Sequence, residues 1–372
     1  RALTGEHERK IARLGRGLCL HVFSVKHTIA TVPPDSDAPV LTRRRTMLAG
    51  AGILAPPTTE DDVRGRDLLS IAELSADEID TILRTALSLK REKTGGDLLA
   101  GQTLALVFEK PSLRTRVSFE VAMQQLGGRA IYLGQSEVGL GQREPVADVA
   151  RVLSRYVDVI AARTYSHGTL LELARHAAVP VINALSDDEH PCQALADLLT
   201  IVEQRGTLRG VRLAFIGDGF NVAASLASAC ALTGVSFAIA SPDGYGLPDV
   251  SLRRMREVAG AHGGHIDTYT APEEAVRDAD VVYTDVWASM GQEDSYAQRK
   301  EAFHGYTVTT KMLALAKPDA IFMHDLPAHR GEEVADDVIE GSQSVVFDQA
   351  ENRLHAQKAV LALVAGTGPE RT

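Results

Sequence analysis

The sequence predicts an α/β protein of two doubly wound parallel-sheet domains, with the active site in the cleft between them. Three observations carry that expectation. The chain has 372 residues, enough for two separate cores. From Arg66 onward, short β-branched and aliphatic runs alternate with stretches whose apolar residues recur at helical spacing, the pattern of consecutive βαβ units. A glycine-bounded break, Gly206-Thr-Leu-Arg-Gly210, divides this series in two. The domains expected are therefore 63–205, completed by a C-terminal helix at 351–366, and 206–350.

The first domain opens on Ser75-Ala-Asp-Glu78, a capping box, followed by Ile79, Ile82, Leu83, Ala86 and Leu89 on one helical face. Thr103 to Phe108 reads as a buried strand, and the stretch after Ser112, with Val117, Val121 and Met123, as a helix. Further strands are expected at 130–133, 159–163 and 179–185, and helices at 146–156, 170–177 and 191–203. The second domain repeats the alternation, with strands at 211–216, 235–240, 266–269, 280–284 and 320–323. Its helices are expected at 222–232, 252–261, 272–279 and 311–316, before the final helix. Right-handed crossovers then bring the loops after the strands' C-terminal ends to one edge.

A net charge of -10 argues against a nucleic-acid backbone or an anionic membrane as the main partner. Cys19, Cys192 and Cys230 show neither paired nor His-linked spacing, so no disulfide framework or zinc site is expected, and a reducing, cytoplasmic setting is. No apolar run is long enough to span a membrane. Residues 1–62 differ from the rest. Over the first 60, nine Lys and Arg stand against five Asp and Glu, opposite in sign to the whole chain. Proline clusters and missing periodicity point to a mostly disordered extension. Arg43-Arg-Arg45 before an apolar stretch has a faint twin-arginine look; an organellar leader or an over-extended reading frame are the other readings.

The chemistry concentrates at strand ends. Ser112-Leu-Arg-Thr-Arg116 puts two guanidiniums and two hydroxyls at a helix start. The unpaired N–H groups there already favour an anion, Ser112 is a natural N-cap, and arginines add bidentate contacts to phosphate. His190-Pro-Cys-Gln193 also opens a helix, with proline at its favourable first position. A His and a Gln on one loop edge suit a carbonyl oxygen and its amide NH2. Arg163 ends its own strand on the same edge. Taken singly, these are also what a capped surface helix, a proline cap and a salt-bridge arginine look like. Gly217-Asp-Gly219 after a strand suggests a dinucleotide site only weakly, because Val222 stands where a third glycine belongs.

Together these stretches resemble the aspartate and ornithine carbamoyltransferases, and the ornithine branch in particular. The similarity runs through 112–120, 144–163, 179–197 with HPCQALAD, 217–222, the DVWASMG of 285–291, the HDLPAHRG of 324–331 and 350–353. The resemblance implies carbamoyl phosphate contacts from Ser112, Leu113, Arg114, Thr115, Gly139, Arg163, His190, Gln193, Asp325, Leu326 and Arg353. It implies ornithine contacts from Asn221, Asp285, Ser289 and Met290, with Arg163, His190, Asp285 and Asp325 nearest the chemistry. It also implies a homotrimer, or a multiple of trimers, without metal or cofactor. Four positions depart from the family pattern. Leu113 replaces a frequent Thr, and Gly139 a Gln that often reaches a neighbouring subunit's substrate, a role Arg143 could cover in part. Pro145 replaces a frequent Ser, and Asp325 the Cys of the usual H-C-L-P. A relative acting on putrescine or an N-acylated ornithine, and a non-catalytic carbamoyltransferase-like subunit, stay open as alternatives.

Residues 1–62 are expected to be dispensable. A chain starting at Asp62 should keep its activity and its melting transition; loss of either would show that the extension belongs to the folded unit.

Overall fold

A computed structural model describes residues 63–92, 95–288 and 295–365. The expectations for residues 1–62, Ser289 and Met290 lie outside the described residues.

The first half contains α1 (Ala76–Arg91), β1 (Thr103–Phe108), α2 (Leu113–Gln125), β2 (Arg129–Gly134), α3 (Gln135–Val138) and α4 (Val146–Leu153). It continues with β3 (Val159–Arg163), α5 (His167–His176), β4 (Val181–Leu185) and α6 (Pro191–Arg205). The second half contains β5 (Arg212–Ile216), α7 (Asn221–Thr233), β6 (Ser236–Ala240), α8 (Asp249–His262), β7 (Ile266–Tyr269) and α9 (Pro272–Val276). Then come β8 (Val281–Thr284), α10 (Tyr296–Ala302), α11 (Thr310–Leu313), β9 (Ile321–His324), α12 (Asp336–Ile339) and the long α13 (Val346–Ala365).

Both sheets are wholly parallel, ordered β2-β1-β3-β4 and β7-β6-β5-β8-β9. Each chain path starts in the middle, moves outward, then returns across its first strand. The order therefore reverses between β1 and β3 in one sheet and between β5 and β8 in the other. At such switch points the following loops diverge and open a crevice at the strands' C-terminal ends.

Alternation along the strands builds the layers. Leu104, Leu106 and Phe108 join one core with α1, α2, α6 and α13, while Ala105 and Val107 face α4 and α5 on the other side. Likewise Leu213 and Phe215 pack under α7 and α8, and Ala214 and Ile216 under α9 and α11. Fully burying each large aliphatic or aromatic side chain contributes about 1.5–3 kcal/mol.

Helix α13 begins at Val346, earlier than the sequence pattern indicates. Its first turns bury Gln349, Asn352 and Arg353, so polar residues occupy the inward face and hide the apolar period. Its later residues Ala356, Ala359, Val360, Leu361 and Val364 complete the core of the first half. Helix α5 starts at His167, because Ser166 Oγ accepts the Gly168 N–H at 3.1 Å and caps it. The short helices α3, α10 and α12 carry too few residues to show a period.

The second glycine of Gly217-Asp-Gly219 is explained by packing. A Cβ on Gly219 would lie 2.3 Å from the Leu247 nitrogen, so the turn needs a bare α-carbon where it meets the loop before α8.

Leu361 is fully buried near the end of α13. Leu361→Ala is expected to lower stability by about 2–5 kcal/mol, read as a fall in the urea midpoint. An unchanged midpoint would mean that this helix does not share the core of the first half.

Candidate active site

The two switch points face one cleft of about 600 Å³, lined by both halves. On the first half's side, Ser112 caps α2, its Oγ accepting the Thr115 N–H at 3.3 Å. Leu113, 77% exposed, lines the rim. Arg114 reaches across the cleft, and its Nη2 donates to the Leu326 carbonyl at 2.6 Å. Arg163 ends β3 and Arg353 projects from α13, both buried. Arg353 Nη2 donates to Thr115 Oγ1 at 3.0 Å, and its Nη1 donates to Gln193 Oε1. Arginines from three elements thus meet at the positive end of a helix.

His190 stands among them at the start of α6, its backbone N–H donated to Ser225 Oγ at 2.8 Å. Burial first, then the charges of Arg353, Arg163 and Arg114, push its imidazole well below the usual range. It is therefore neutral at pH 7: able to donate one N–H, not to act as a strong acid. Burial, with repulsion from Arg353 and Arg114 outweighing attraction by Asp325, lowers Arg163 to about 10. It stays charged at neutral pH. Gln193 sits behind Arg353 rather than on the cleft wall, with its Nε2 donated to Asp197 Oδ1 at 2.8 Å. Gly139 ends α3 in the left-handed region, away from this chain's cleft.

Opposite lies an acidic corner. Asp285 follows β8 and Asp325 follows β9, and both line the cleft. Burial, then the neighbouring charge of Asp325, pushes the Asp285 carboxyl well above the usual carboxylate range. Burial acts on Asp325 too, but the neighbouring His324 outweighs it and holds Asp325 below that range, so it is the member of the pair that ionises first. Behind it, His324 Nδ1 accepts the Leu326 N–H at 2.9 Å, which assigns the ring proton to Nε2, 3.1 Å from the fully buried Glu333. Leu326 has φ +57, a strained value for a side chain of its size, and this turn aims its carbonyl at Arg114. Asp285, His324 and Asp325 hold three potential ligand atoms within 4.8 Å. Both nitrogens of His324 are engaged, so the set does not suit a metal. Asn221, the first residue of α7, lines the cleft and donates Nδ2 to the Ser186 carbonyl at 2.7 Å.

Phe220, Tyr296, His329 and the buried Lys110 also line the cleft, and sequence reasoning did not select them. Lys110 directly precedes the arginine loop and could have been read with it. Tyr296 lies in a stretch with no period to place it.

Residues 66–203 match the model of the aspartate/ornithine carbamoyltransferase carbamoyl-P binding domain, and residues 209–364 the Asp/Orn binding domain of the same enzymes. The chain is 54% identical over 305 residues to an anabolic ornithine carbamoyltransferase of Pyrococcus furiosus, covering 81% of this chain and 97% of that one. Its structure is similar to that of the ornithine carbamoyltransferase from Pyrococcus furiosus, with a TM-score of 0.79 at 53% identity over 81% of this chain and 97% of the other. An ornithine carbamoyltransferase from Gloeobacter violaceus aligns with a TM-score of 0.74 at 48% identity, over 82% of this chain and 100% of that one.

Arg114→Ala is expected to weaken carbamoyl phosphate binding at least tenfold, about 1.4 kcal/mol, through loss of a charge-assisted contact. The fold should survive, because this side chain lies across a cleft. Calorimetry showing unchanged affinity would remove the arginine loop from phosphate recognition.

Proposed function

The chain belongs to the aspartate/ornithine carbamoyltransferase family, and from that premise we propose that it carbamoylates the δ-amine of L-ornithine with carbamoyl phosphate, giving L-citrulline and phosphate. The observation that carries this reading is the facing of a three-arginine corner and a carboxylate pair across one cleft. The first suits a dianionic acyl phosphate and the second a cationic amine. The word anabolic in a relative's name supports the citrulline-forming direction of arginine synthesis.

Carbamoyl phosphate is already activated, so the protein must hold, polarise and deliver. Ser112, the Leu113 backbone, Arg114 and Thr115 hold the phosphate, with Arg353 behind them. Arg163, Thr115 and neutral His190 aim donors at the carbonyl oxygen, where negative charge develops; one such donor is typically worth about 3 kcal/mol. The Leu326 carbonyl stands toward the carbamoyl NH2, and Gln193 acts from behind by holding Arg353. The δ-ammonium must lose a proton before its lone pair can attack the carbonyl carbon. Asp285 and Asp325 pair with it and accept that proton, assisted by Asn221. The new C–N bond forms as the C–O bond to phosphate breaks, and phosphate leaves with the electron pair. Ser289 and Met290 complete the amino-acid contacts in this reading. Holding both substrates in one closed cleft supplies much of the remaining acceleration.

The assembly inferred is a homotrimer, or a multiple of trimers, in the cytoplasm. Support comes from the family and from exposed Leu113, Val117 and Ile131 beside the edge strand β2. Among the described residues no helix is long and apolar enough to cross a membrane.

Steady-state turnover of carbamoyl phosphate with ornithine, putrescine, N-acetylornithine and aspartate tests the proposal. Ornithine should be preferred; preference for putrescine or the acylated amine would move the reading to those relatives, and no turnover with any acceptor would point to a non-catalytic subunit. Asp325→Asn keeps the shape and removes the charge. It is expected to lower kcat/KM for ornithine at least tenfold, about 1.4 kcal/mol of transition-state stabilisation, with carbamoyl phosphate binding little changed. Asp325→Cys should retain much of the activity. Parent-like turnover by Asp325→Asn would leave Asp285 as the main amine contact.

A further inference from the structure

Asp197 has no exposed surface, and none of the chemistry above uses it. It lies one turn after Gln193 on α6 and collects three donors from three elements. Its Oδ1 accepts Gln193 Nε2 at 2.8 Å and Gln349 Nε2 from α13 at 2.7 Å. Its Oδ2 accepts the phenol of Tyr283 on β8 at 3.2 Å.

Each donor leads on toward the cleft. Gln193 turns its other end, Oε1, to Arg353, whose Nη2 reaches Thr115. Gln349 turns its Oε1 to the His324 N–H at 2.8 Å, one residue before Asp325. Tyr283 stands two residues before Asp285.

A primary amide donates at one end and accepts at the other. Oδ1 accepts from both amides whether or not Oδ2 carries a proton, so Asp197 dictates which end of each glutamine faces away from it. With Gln193 reversed, its NH2 would oppose the Arg353 guanidinium, donor against donor. With Gln349 reversed, its NH2 would oppose the His324 N–H. Burial makes the charge costly and pushes the Asp197 carboxyl up to about 7, against the hydrogen bonds from Gln193 and Gln349. An apolar side chain of similar volume would remove that cost but leave both amide NH2 groups and the Tyr283 phenol without this acceptor.

We propose that Asp197 is a positioning residue that orients the Gln193 and Gln349 amides, and so holds Arg353 in register with the strand ends bearing Asp285 and Asp325. The proposal rests on the carbamoyltransferase reading and deepens it. It assigns a buried carboxylate, remote from both substrates, to the geometry of the phosphate corner.

The test measures the Kd of carbamoyl phosphate by calorimetry, a readout that does not depend on the acceptor amine. Asp197→Leu removes every acceptor while filling the volume, and should raise the Kd at least tenfold at a temperature well below the melting transition of the full-chain variant. Asp197→Asn keeps one oxygen for both glutamines and offers an NH2 to the Tyr283 oxygen, so it should recover most of the loss. In a Gln193→Ala background the same Leu substitution should cost less than about threefold, because its effect runs through that amide. Should Asp197→Leu not fold, Asp197→Ala carries the same two expectations. An unchanged Kd in the single variant, or an equal penalty in both backgrounds, overturns the positioning role. Failure of the parent to bind carbamoyl phosphate would instead overturn the carbamoyltransferase reading itself, and this proposal with it.

Discussion

Crowding of like charge is the constraint around which this molecule is arranged. Arg114, Arg163 and Arg353 converge beside the positive end of α2, and their charges add to burial in lowering the His190 imidazole. Guanidiniums free to move would separate. They stay together because each is anchored on a different rigid element: a helix N-terminus, a strand end and a helix crossing from the other half. A dianion arriving there relieves a tension already built into the fold, which is preorganisation in electrostatic form. The polar inward face of α13 follows from the same need, since the buried Arg353 has to be partnered by Thr115 and Gln193.

Doubling the switch point explains why the chemistry takes two substrates. One open parallel sheet presents one crevice, and here two crevices of opposite electrostatic character are set mouth to mouth. The strained Leu326 turn spans them, held by His324 on one side and meeting Arg114 on the other. Neither half has a complete site. The second half contributes the carbonyl that Arg114 meets, and the first half contributes most of the groups that would hold an acyl phosphate.

Much of the fold was legible because parallel strands buried on both faces are continuous apolar runs; β1, β3 and β7 have the limits their residues suggest. The arginine loop was legible for a related reason, being contiguous in sequence at a helix start. The start of α13 was not, since its buried face carries Gln349, Asn352 and Arg353 in place of an apolar stripe. Contacts between distant positions were also out of reach. The bond from Arg353 to Gln193 joins residues 160 apart, and no window of sequence contains both. Glu333 shows why burial matters: nothing in an exposed-looking run of charges, Arg330-Gly-Glu-Glu333, marks the second glutamate as the buried partner of His324.

Helix α13 has a consequence for biosynthesis. Its later turns lie in the core of the first half, against residues such as Leu104, Phe119 and Leu195, yet it follows every other described element in the chain. The second half needs only an uninterrupted stretch for its sheet and can close as soon as that stretch clears the ribosome. The first half, translated earlier, stands with an apolar face uncovered until the final helix emerges. The leading domain usually folds first; here its core is completed only by the last described helix, so its apolar face stays open for longer.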